Sequence, residues 1–191
     1  MAKSNIVRER SLREQTRKKK EKIRFIVEIV IALVLAFVVS EMFFAGYSMQ
    51  ESSMSPTMET GDHFLVNRVA FRIGHIHRGD LIAYRSQDDA DSTIHVKRVI
   101  ALPGETVQIK NGIILIDGKT YMEKKQFPVI KNAGNAAGKM KIGDSEYFVL
   151  GDNRNNSEDS RFGDVGSINS SLIIGKPWFV TSSGSRFGFL R

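Results

Sequence analysis

Thr106-Val-Gln-Ile-Lys-Asn-Gly-Ile-Ile-Leu-Ile-Asp-Gly118 is the stretch of sequence that decides the fold class. Two short apolar runs flank Asn111-Gly112, and Asp117-Gly118 follows the second run. Asn-Gly and Asp-Gly are strong signals for a β-hairpin, because both central residues of its tightest turn need a positive φ. The stretch therefore predicts two tight antiparallel turns in succession.

Similar short runs occur through the rest of the chain after residue 47. They are rich in β-branched and aromatic residues and are bounded by Gly-Asp or Pro-Gly pairs, which predicts strands joined by turns. The runs cover residues 63–69, 81–84, 93–100, 121–122, 146–150 and 174–180. Residues 131–145 offer little to bury, so we predict a mobile loop there. The fold class predicted for residues 47–191 is a mostly β domain.

Residues 25–45 are the one stretch apolar enough to enter a membrane. A helix that crosses a bilayer needs about 20 such residues. The charged residues in the run, Glu28 and Glu41, lie near its ends, where a carboxylate reaches the headgroups. A cleaved signal peptide or a buried helix is an alternative, but the run is longer than a usual signal-peptide core. We predict an uncleaved transmembrane anchor over residues 25–46.

The positive charge of the chain is concentrated before this anchor. The 191 residues carry a formal net charge of +7, and residues 1–24 contain ten of the 28 Lys and Arg but three of the 21 acidic residues. A basic flank predicts that residues 1–24 are a cytoplasmic tail and that residues 47–191 lie outside the cytoplasm. Its position beside an anchor favours anionic lipid over nucleic acid as its partner. The chain has no cysteine, which excludes disulfides, thiolate chemistry and cysteine zinc sites.

Ser53-Met54-Ser55-Pro56-Thr57 is a polar turn shortly after the predicted anchor. A serine hydroxyl becomes a nucleophile only when a nearby base takes its proton. A Ser-His-Asp triad is possible, but nothing singles out one of the four histidines. Lys97 lies in the middle of an apolar strand, where burial would disfavour its charged form and let it act as a base. The alternative is an edge strand that points Lys97 and Arg98 to solvent.

A second polar stretch, Gly151-Asp-Asn-Arg-Asn-Asn-Ser-Glu-Asp-Ser-Arg161, follows a predicted strand. By itself it is compatible with an exposed loop or a cation site. Taken in order behind the anchor, however, these stretches resemble the type I signal peptidases, which are membrane-anchored serine proteases with a Ser/Lys dyad. The resemblance covers the anchor and nearly all of residues 47–181. The matching boxes are Ser53–Thr57 with Gly61-Asp62, Gly79-Asp80-Leu-Ile, Lys97-Arg98-Val-Ile-Ala-Leu-Pro-Gly104, and Gly151-Asp-Asn-Arg154 with Ser157, Asp159, Ser160 and Arg161.

The resemblance assigns a role to each residue of these boxes. It implies that Ser53 is the nucleophile, that Lys97 is the general base and that Ser157 orients the Lys97 amine. The Ser53 backbone N–H would contribute to the oxyanion hole, and Met54 and Val96 would line shallow substrate pockets. The residues that would form structural ion pairs, holding the last box against the lysine strand, are Asp152, Arg98, Asp159 and Arg161. No metal or organic cofactor is implied.

The implied activity is removal of signal peptides from secreted preproteins at the outer surface of the cell membrane. The partners would be preprotein signal peptides, bound as an added β-strand, and the phospholipid membrane, with no nucleic acid. Glu51 departs from the pattern, because the family usually has Gly or Ser two residues before the nucleophile. A carboxylate aimed at an oxyanion would repel it. Glu51 therefore motivates a second hypothesis, a membrane-anchored assembly factor without activity. A self-cleaving regulator with a DNA-binding head is disfavoured by the apolar run.

Overall fold

The computed structural model describes residues 2–69, 74–86, 93–182 and 187–190. The chain divides into two compact units, Met1–Met42 and Phe43–Arg191. The first unit is formed by one long helix, α1 (Ala2–Phe43). The second unit is built from β-strands and contains every residue of the predicted boxes.

Helix α1 contains Arg17–Ser40, a segment of 24 residues that is long and apolar enough to cross a membrane. No side chain of this segment is buried within the protein. Glu28 accepts a hydrogen bond from Arg24 one turn earlier, at 3.0 Å, so this carboxylate is paired near the end of the apolar run. The side chain of Glu41 lies outside the described part of the structure. An exposed apolar helix of this length is what a membrane anchor requires.

The described residues of the second unit form twelve strands. Their bounds are β1 (Phe44–Ser48), β2 (His63–Asn67), β3 (Leu81–Arg85), β4 (Ile94–Ala101), β5 (Thr106–Lys110), β6 (Ile113–Ile116), β7 (Lys119–Thr120), β8 (Met140–Lys141), β9 (Glu146–Leu150), β10 (Ile168–Asn169), β11 (Ile173–Val180) and β12 (Gly188–Phe189). An eight-stranded sheet has the order β1-β2-β11-β3-β4-β9-β10, with β12 paired to β11, and a four-stranded sheet has the order β7-β6-β5-β8. The predicted fold class, a mostly β domain preceded by an apolar N-terminal helix, is confirmed.

The two predicted tight turns are present in the smaller sheet. Asn111 and Gly112 have φ angles of 54° and 76° and join β5 to β6. Asp117 and Gly118 have φ angles of 50° and 78° and join β6 to β7. The strand predicted at residues 121–122 is wrong, because the two-residue turn pairs Ile116 directly with Lys119 and so starts β7 earlier.

Residues 131–145 are not the unpacked loop that we predicted. They contain a 3-10 turn, Gly134–Ala137, and strand β8, which pairs with β5. Ala136 and Ile142 are 0% and 1% exposed and belong to the hydrophobic core beneath the smaller sheet. A few small or branched apolar residues are therefore enough to fix this segment, although its composition is mostly polar and glycine-rich.

Strand β4 carries the predicted base and lies between β3 and β9 in the larger sheet. Lys97 is 0% exposed and Arg98 is 5% exposed. The edge-strand alternative is therefore wrong: both side chains are enclosed by the protein. Buried charges of this kind need partners, and the segments that provide them are the loop after β1 and the loop after β9.

Candidate active site

Ser53 is held by the loop between β1 and β2. Backbone hydrogen bonds close the base of the loop, from the Met49 N–H to the Asp62 carbonyl at 2.8 Å and from the Gly61 N–H to the Met49 carbonyl at 2.7 Å. Met54 on this loop and Val96 on β4 are fully buried in the same hydrophobic cluster. Each of these residues is the sequence neighbour of a predicted catalytic residue, so their packing brings the Ser53 loop against β4 beside Lys97.

The structure brings the predicted nucleophile and base together. The Lys97 Nζ atom donates a hydrogen bond to the Ser53 Oγ atom at 2.8 Å. Ser53 is 3% exposed, and the Lys97 side chain is completely enclosed. A serine hydroxyl and an amine in this geometry are within the distance that direct proton transfer requires.

Glu51 is the third member of this cluster. Its Oε1 atom accepts a hydrogen bond from the Lys97 Nζ at 2.5 Å and lies 3.3 Å from the Nδ1 atom of His95. Burial of the Glu51 carboxyl favours its neutral form, but the hydrogen bond from His95 and the charge of Lys97 outweigh burial and lower its pKa to about 2. Glu51 is therefore a carboxylate at any physiological pH. The side chain points at the lysine amine.

Ser157 does not make the predicted hydrogen bond to Lys97. Its Oγ atom is buried and has no hydrogen-bond partner. The residue packs against Gly151, where an added Cβ atom would come within 2.2 Å of the Ser157 Oγ and 2.5 Å of the Ser53 carbonyl oxygen. Gly151 thus permits the close approach of the two serine-bearing loops, while the lysine amine is contacted by Glu51.

The four predicted ion-pair residues form two separate pairs. Arg98 donates two hydrogen bonds to Asp152, from Nε to Oδ1 at 2.7 Å and from Nη2 to Oδ2 at 2.6 Å. This pair joins β4 to the loop after β9, as predicted. Asp159 and Arg161, by contrast, pair with each other within that loop at 2.8 and 2.9 Å. Asp159 instead fixes the start of the loop, because its Oδ2 accepts a hydrogen bond from the Gly151 N–H at 3.0 Å.

Sequence reasoning missed the polar contacts that attach the Ser53 loop to the segment after β9. The Asn153 N–H donates to the Ser53 carbonyl at 2.9 Å, and the Asn156 side chain donates to the Ser52 hydroxyl at 3.2 Å. The Thr57 hydroxyl donates to the Asp152 Oδ2 at 2.5 Å. Asn and Thr are common in loops of any kind, so only their position within the first and last boxes could have signalled this role.

A cleft opens beside the Ser53 hydroxyl and encloses about 620 Å³. Its walls include Glu51 and Ser157 and the apolar side chains of Phe162 and Val165. Met54 and Val96, which were predicted to line substrate pockets, are both 0% exposed and belong to the core, so neither is part of the cleft wall in this structure. Within the described ranges, no three His, Asp or Glu side chains are grouped as metal ligands would be.

The family model described as signal peptidase, peptidase S26, matches residues 22–181 of this sequence. The chain belongs to this family. Residues 22–181 contain all four predicted boxes and the apolar segment, so the resemblance inferred from the boxes is confirmed. The cluster of Ser53, Lys97 and Glu51 is therefore the candidate active site of a peptidase S26 chain.

Several signal peptidases are similar to this S26 chain along most of their length. Signal peptidase I P of Bacillus subtilis subsp. natto is 36% identical over 85% of this chain and 90% of that protein. Signal peptidase I S of Bacillus subtilis is 37% identical over 87% and 92%, and signal peptidase IB of Staphylococcus aureus is 32% identical over 84% and 90%. A crystal structure of a signal peptidase I from Enterococcus faecalis aligns with 53% of this chain and 95% of that chain, at 27% identity and a TM-score of 0.43.

Proposed function

We propose that this protein is a membrane-bound serine endopeptidase that removes signal peptides from secreted preproteins, with Ser53 as nucleophile and Lys97 as general base. The observation that carries the assignment is the 2.8 Å contact between the Lys97 Nζ and the Ser53 Oγ atoms, inside a peptidase S26 chain. The apolar cluster around Met54 and Val96 supports it, because it fixes the backbone on both sides of this contact.

The reaction proceeds in two acyl-transfer steps. The neutral Lys97 amine takes the Ser53 proton as the Oγ atom attacks the carbonyl carbon of the scissile peptide bond. The resulting ammonium then protonates the leaving nitrogen, which departs as the amino terminus of the mature protein. The signal peptide remains esterified to Ser53. A water molecule gives a proton to Lys97 and attacks the ester. The Lys97 ammonium then returns that proton to the Ser53 Oγ atom as it leaves, which restores the serine hydroxyl and releases the signal peptide, whose new carboxyl group loses its own proton to solvent.

The Ser53 backbone N–H serves as an oxyanion donor in this mechanism. It has no acceptor among the described residues, while the Ser53 carbonyl is held by the Asn153 N–H at 2.9 Å. A fixed, unpaired donor can meet the oxygen of a tetrahedral intermediate without reorganising. The Ser53 loop is also attached to the Arg98–Asp152 pair, because the Thr57 hydroxyl donates a hydrogen bond to Asp152.

The proposed topology follows from the charge and length of α1. The apolar part of α1, from residue 25 onwards, crosses the membrane once, residues 1–24 stay in the cytoplasm and the β unit lies outside, beside emerging preproteins. Glu51 motivated the assembly-factor hypothesis, but it does not separate Ser53 from Lys97. The 2.8 Å contact between them favours the catalytic hypothesis.

The test is cleavage of a preprotein that carries an Ala-x-Ala site by the full chain in detergent. Mass spectrometry of the product identifies the cleaved bond. Wild type and the control variant Ser145→Ala, which alters an exposed serine, are expected to cleave after the second alanine, and Ser53→Ala is not. Cleavage by Ser53→Ala at the wild-type rate would remove Ser53 as nucleophile. If wild type is inactive where a Bacillus relative cuts the same substrate, the assembly-factor hypothesis replaces this proposal.

A further inference from the structure

The dyad mechanism gives no role to the carboxylate closest to its base. Glu51 lies two residues before Ser53 on the same loop, and its Oε1 atom is 2.5 Å from the Lys97 Nζ. The Lys97 side chain is fully enclosed, whereas the Glu51 side chain is 27% exposed at the edge of the cleft. A buried ammonium next to a carboxylate at this distance is an ion pair with a charge-assisted hydrogen bond.

The buried carboxylates near the site are already paired with arginines. The Asp152 carboxylate, from the loop after β9, is paired with Arg98, and Asp159 from the same loop is paired with Arg161. Tyr84 on β3 stays neutral, because burial and the nearby charges of Glu51 and Asp159 raise its pKa.

His95 and Arg98 are the remaining titratable neighbours on β4 itself. His95 contacts the same oxygen of Glu51 as Lys97 does, and its ring lies 5.5 Å from that of Tyr84. Arg98 directs its guanidinium to Asp152 and to the Gly79 carbonyl. Among the described residues, Glu51 is therefore the carboxylate that neutralises Lys97.

We propose that Glu51 is the positioning residue for Lys97, so that Glu51, Lys97 and Ser53 form a connected row in which the carboxylate fixes the amine against the serine hydroxyl. The inference rests on the proposed function and deepens it. The resemblance gave the orienting role to Ser157, but the Ser157 hydroxyl has no partner in this structure. His95 in turn contacts the Glu51 Oε1 atom at 3.3 Å and helps to fix the carboxylate.

This arrangement has a consequence for the pH dependence of catalysis. The carboxylate stabilises the ammonium form of Lys97, both before the reaction and after the Ser53 proton has been transferred. The first effect means that activity begins at a higher pH than it would without Glu51. An opposite charge at this distance typically moves such a titration by about 1–3 pH units. The second effect parallels the aspartate of a Ser-His-Asp triad, which orients the base and stabilises its protonated form.

The first experiment compares pH profiles of preprotein cleavage. In Glu51→Gln the amide oxygen still accepts a hydrogen bond but the charge is gone, so the acid limb of kcat/KM shifts down by about one pH unit or more, and the plateau kcat falls because the ammonium formed by proton transfer loses its counterion. In Glu51→Ala the limb also shifts, and the plateau kcat falls because the amine loses its acceptor. The control Asp144→Asn, which removes an exposed charge elsewhere, retains the wild-type limb and plateau.

The second experiment measures the ion pair without turnover. The Ser53→Ala protein, labelled with ¹⁵N-lysine and assigned with Lys97→Met, is titrated by NMR with and without Glu51→Gln. The pH at which the Lys97 amine loses its proton is expected to be lower in the Glu51→Gln protein. Titrations that superimpose, or a shift to higher pH, would overturn the inference even if the enzyme cleaves preproteins. If the titration shifts downward but the wild-type protein cleaves no preprotein, the ion pair stands and the proposed function is refuted instead.

Discussion

Replacing Asp152 with asparagine is expected to destabilise the β unit strongly, because it removes the partner of a buried guanidinium. Arg98 donates to both carboxylate oxygens of Asp152 at 2.7 and 2.6 Å. The two side chains are only 6% and 0% exposed. Asparagine keeps the shape of the side chain but not its charge, so Arg98 remains buried without a counterion. Breaking a buried pair in this way costs about 3–5 kcal/mol of unfolding free energy.

That cost predicts a measurable change in thermal unfolding. For a unit of this size, 1 kcal/mol corresponds to a change of about 2–4 °C in Tm, so the expected loss is about 6–20 °C. The rate of preprotein cleavage falls as well, because the Thr57 hydroxyl loses its charged acceptor and the Ser53 loop is held less firmly. Circular dichroism of the full chain in detergent follows the unfolding of the β unit at wavelengths where β-sheet absorbs.

The control is Asp144→Asn, which makes the same chemical change at an exposed position and is expected to alter the stability by no more than about 0.5 kcal/mol. Adding Arg98→Met to Asp152→Asn removes the unpaired charge and is expected to recover part of the lost stability. A Tm for Asp152→Asn within about 2 °C of wild type would refute the argument that this pair carries a buried charge.

Two further substitutions test other parts of the site. Gly151→Ala places a methyl group 2.2 Å from the Ser157 Oγ and 2.5 Å from the Ser53 carbonyl oxygen. We expect it to lower the free energy of unfolding by about 1–3 kcal/mol and to lower the cleavage rate. The control is Gly143→Ala, whose methyl group would meet only the flexible Glu146 side chain. Glu51 contributes stability that is present above pH 4.5 and lost as the pH falls towards 2, because its pKa is lowered from 4.5 to about 2 in the folded protein. The Tm of wild type should therefore fall more steeply over this range than that of Glu51→Gln, and parallel curves would contradict this.

The parts of the fold that the sequence predicts correctly are those set by local signals. Asn111-Gly112 and Asp117-Gly118 define their turns without help from distant residues, because the left-handed backbone favours these residue types. Strand β1 (Phe44–Ser48) was not predicted, because the apolar run of the helix continues into it. Its existence depends on pairing with β2, which lies fifteen or more residues away in sequence. The packing of residues 131–145 likewise depends on non-local contacts with β5.

The candidate site likewise contains residues that the sequence identified and contacts that it could not predict. The order of the boxes identified Ser53 and Lys97, and their contact is present. The direction of Glu51 could not be predicted, because a side chain two residues before Ser53 can turn to the oxyanion or to the amine. The period of a strand does place His95 and Lys97 on one face of β4, and that pair is what Glu51 contacts. Asn153 and Asn156 carried no signal beyond their place in the last box.

Cleavage of a preprotein by Lys97→Met is the most direct test of the central claim, that an enclosed lysine activates Ser53. Methionine retains much of the length of the side chain and removes the amine. The account predicts that the single-turnover rate falls by at least about 10²-fold, the usual contribution of a general base, with the Tm measured alongside to show that the protein is folded. The matched variant Lys176→Met, which removes an amine paired with Asp80 away from the site, is expected to cleave at close to the wild-type rate. Undiminished cleavage by folded Lys97→Met would contradict the account.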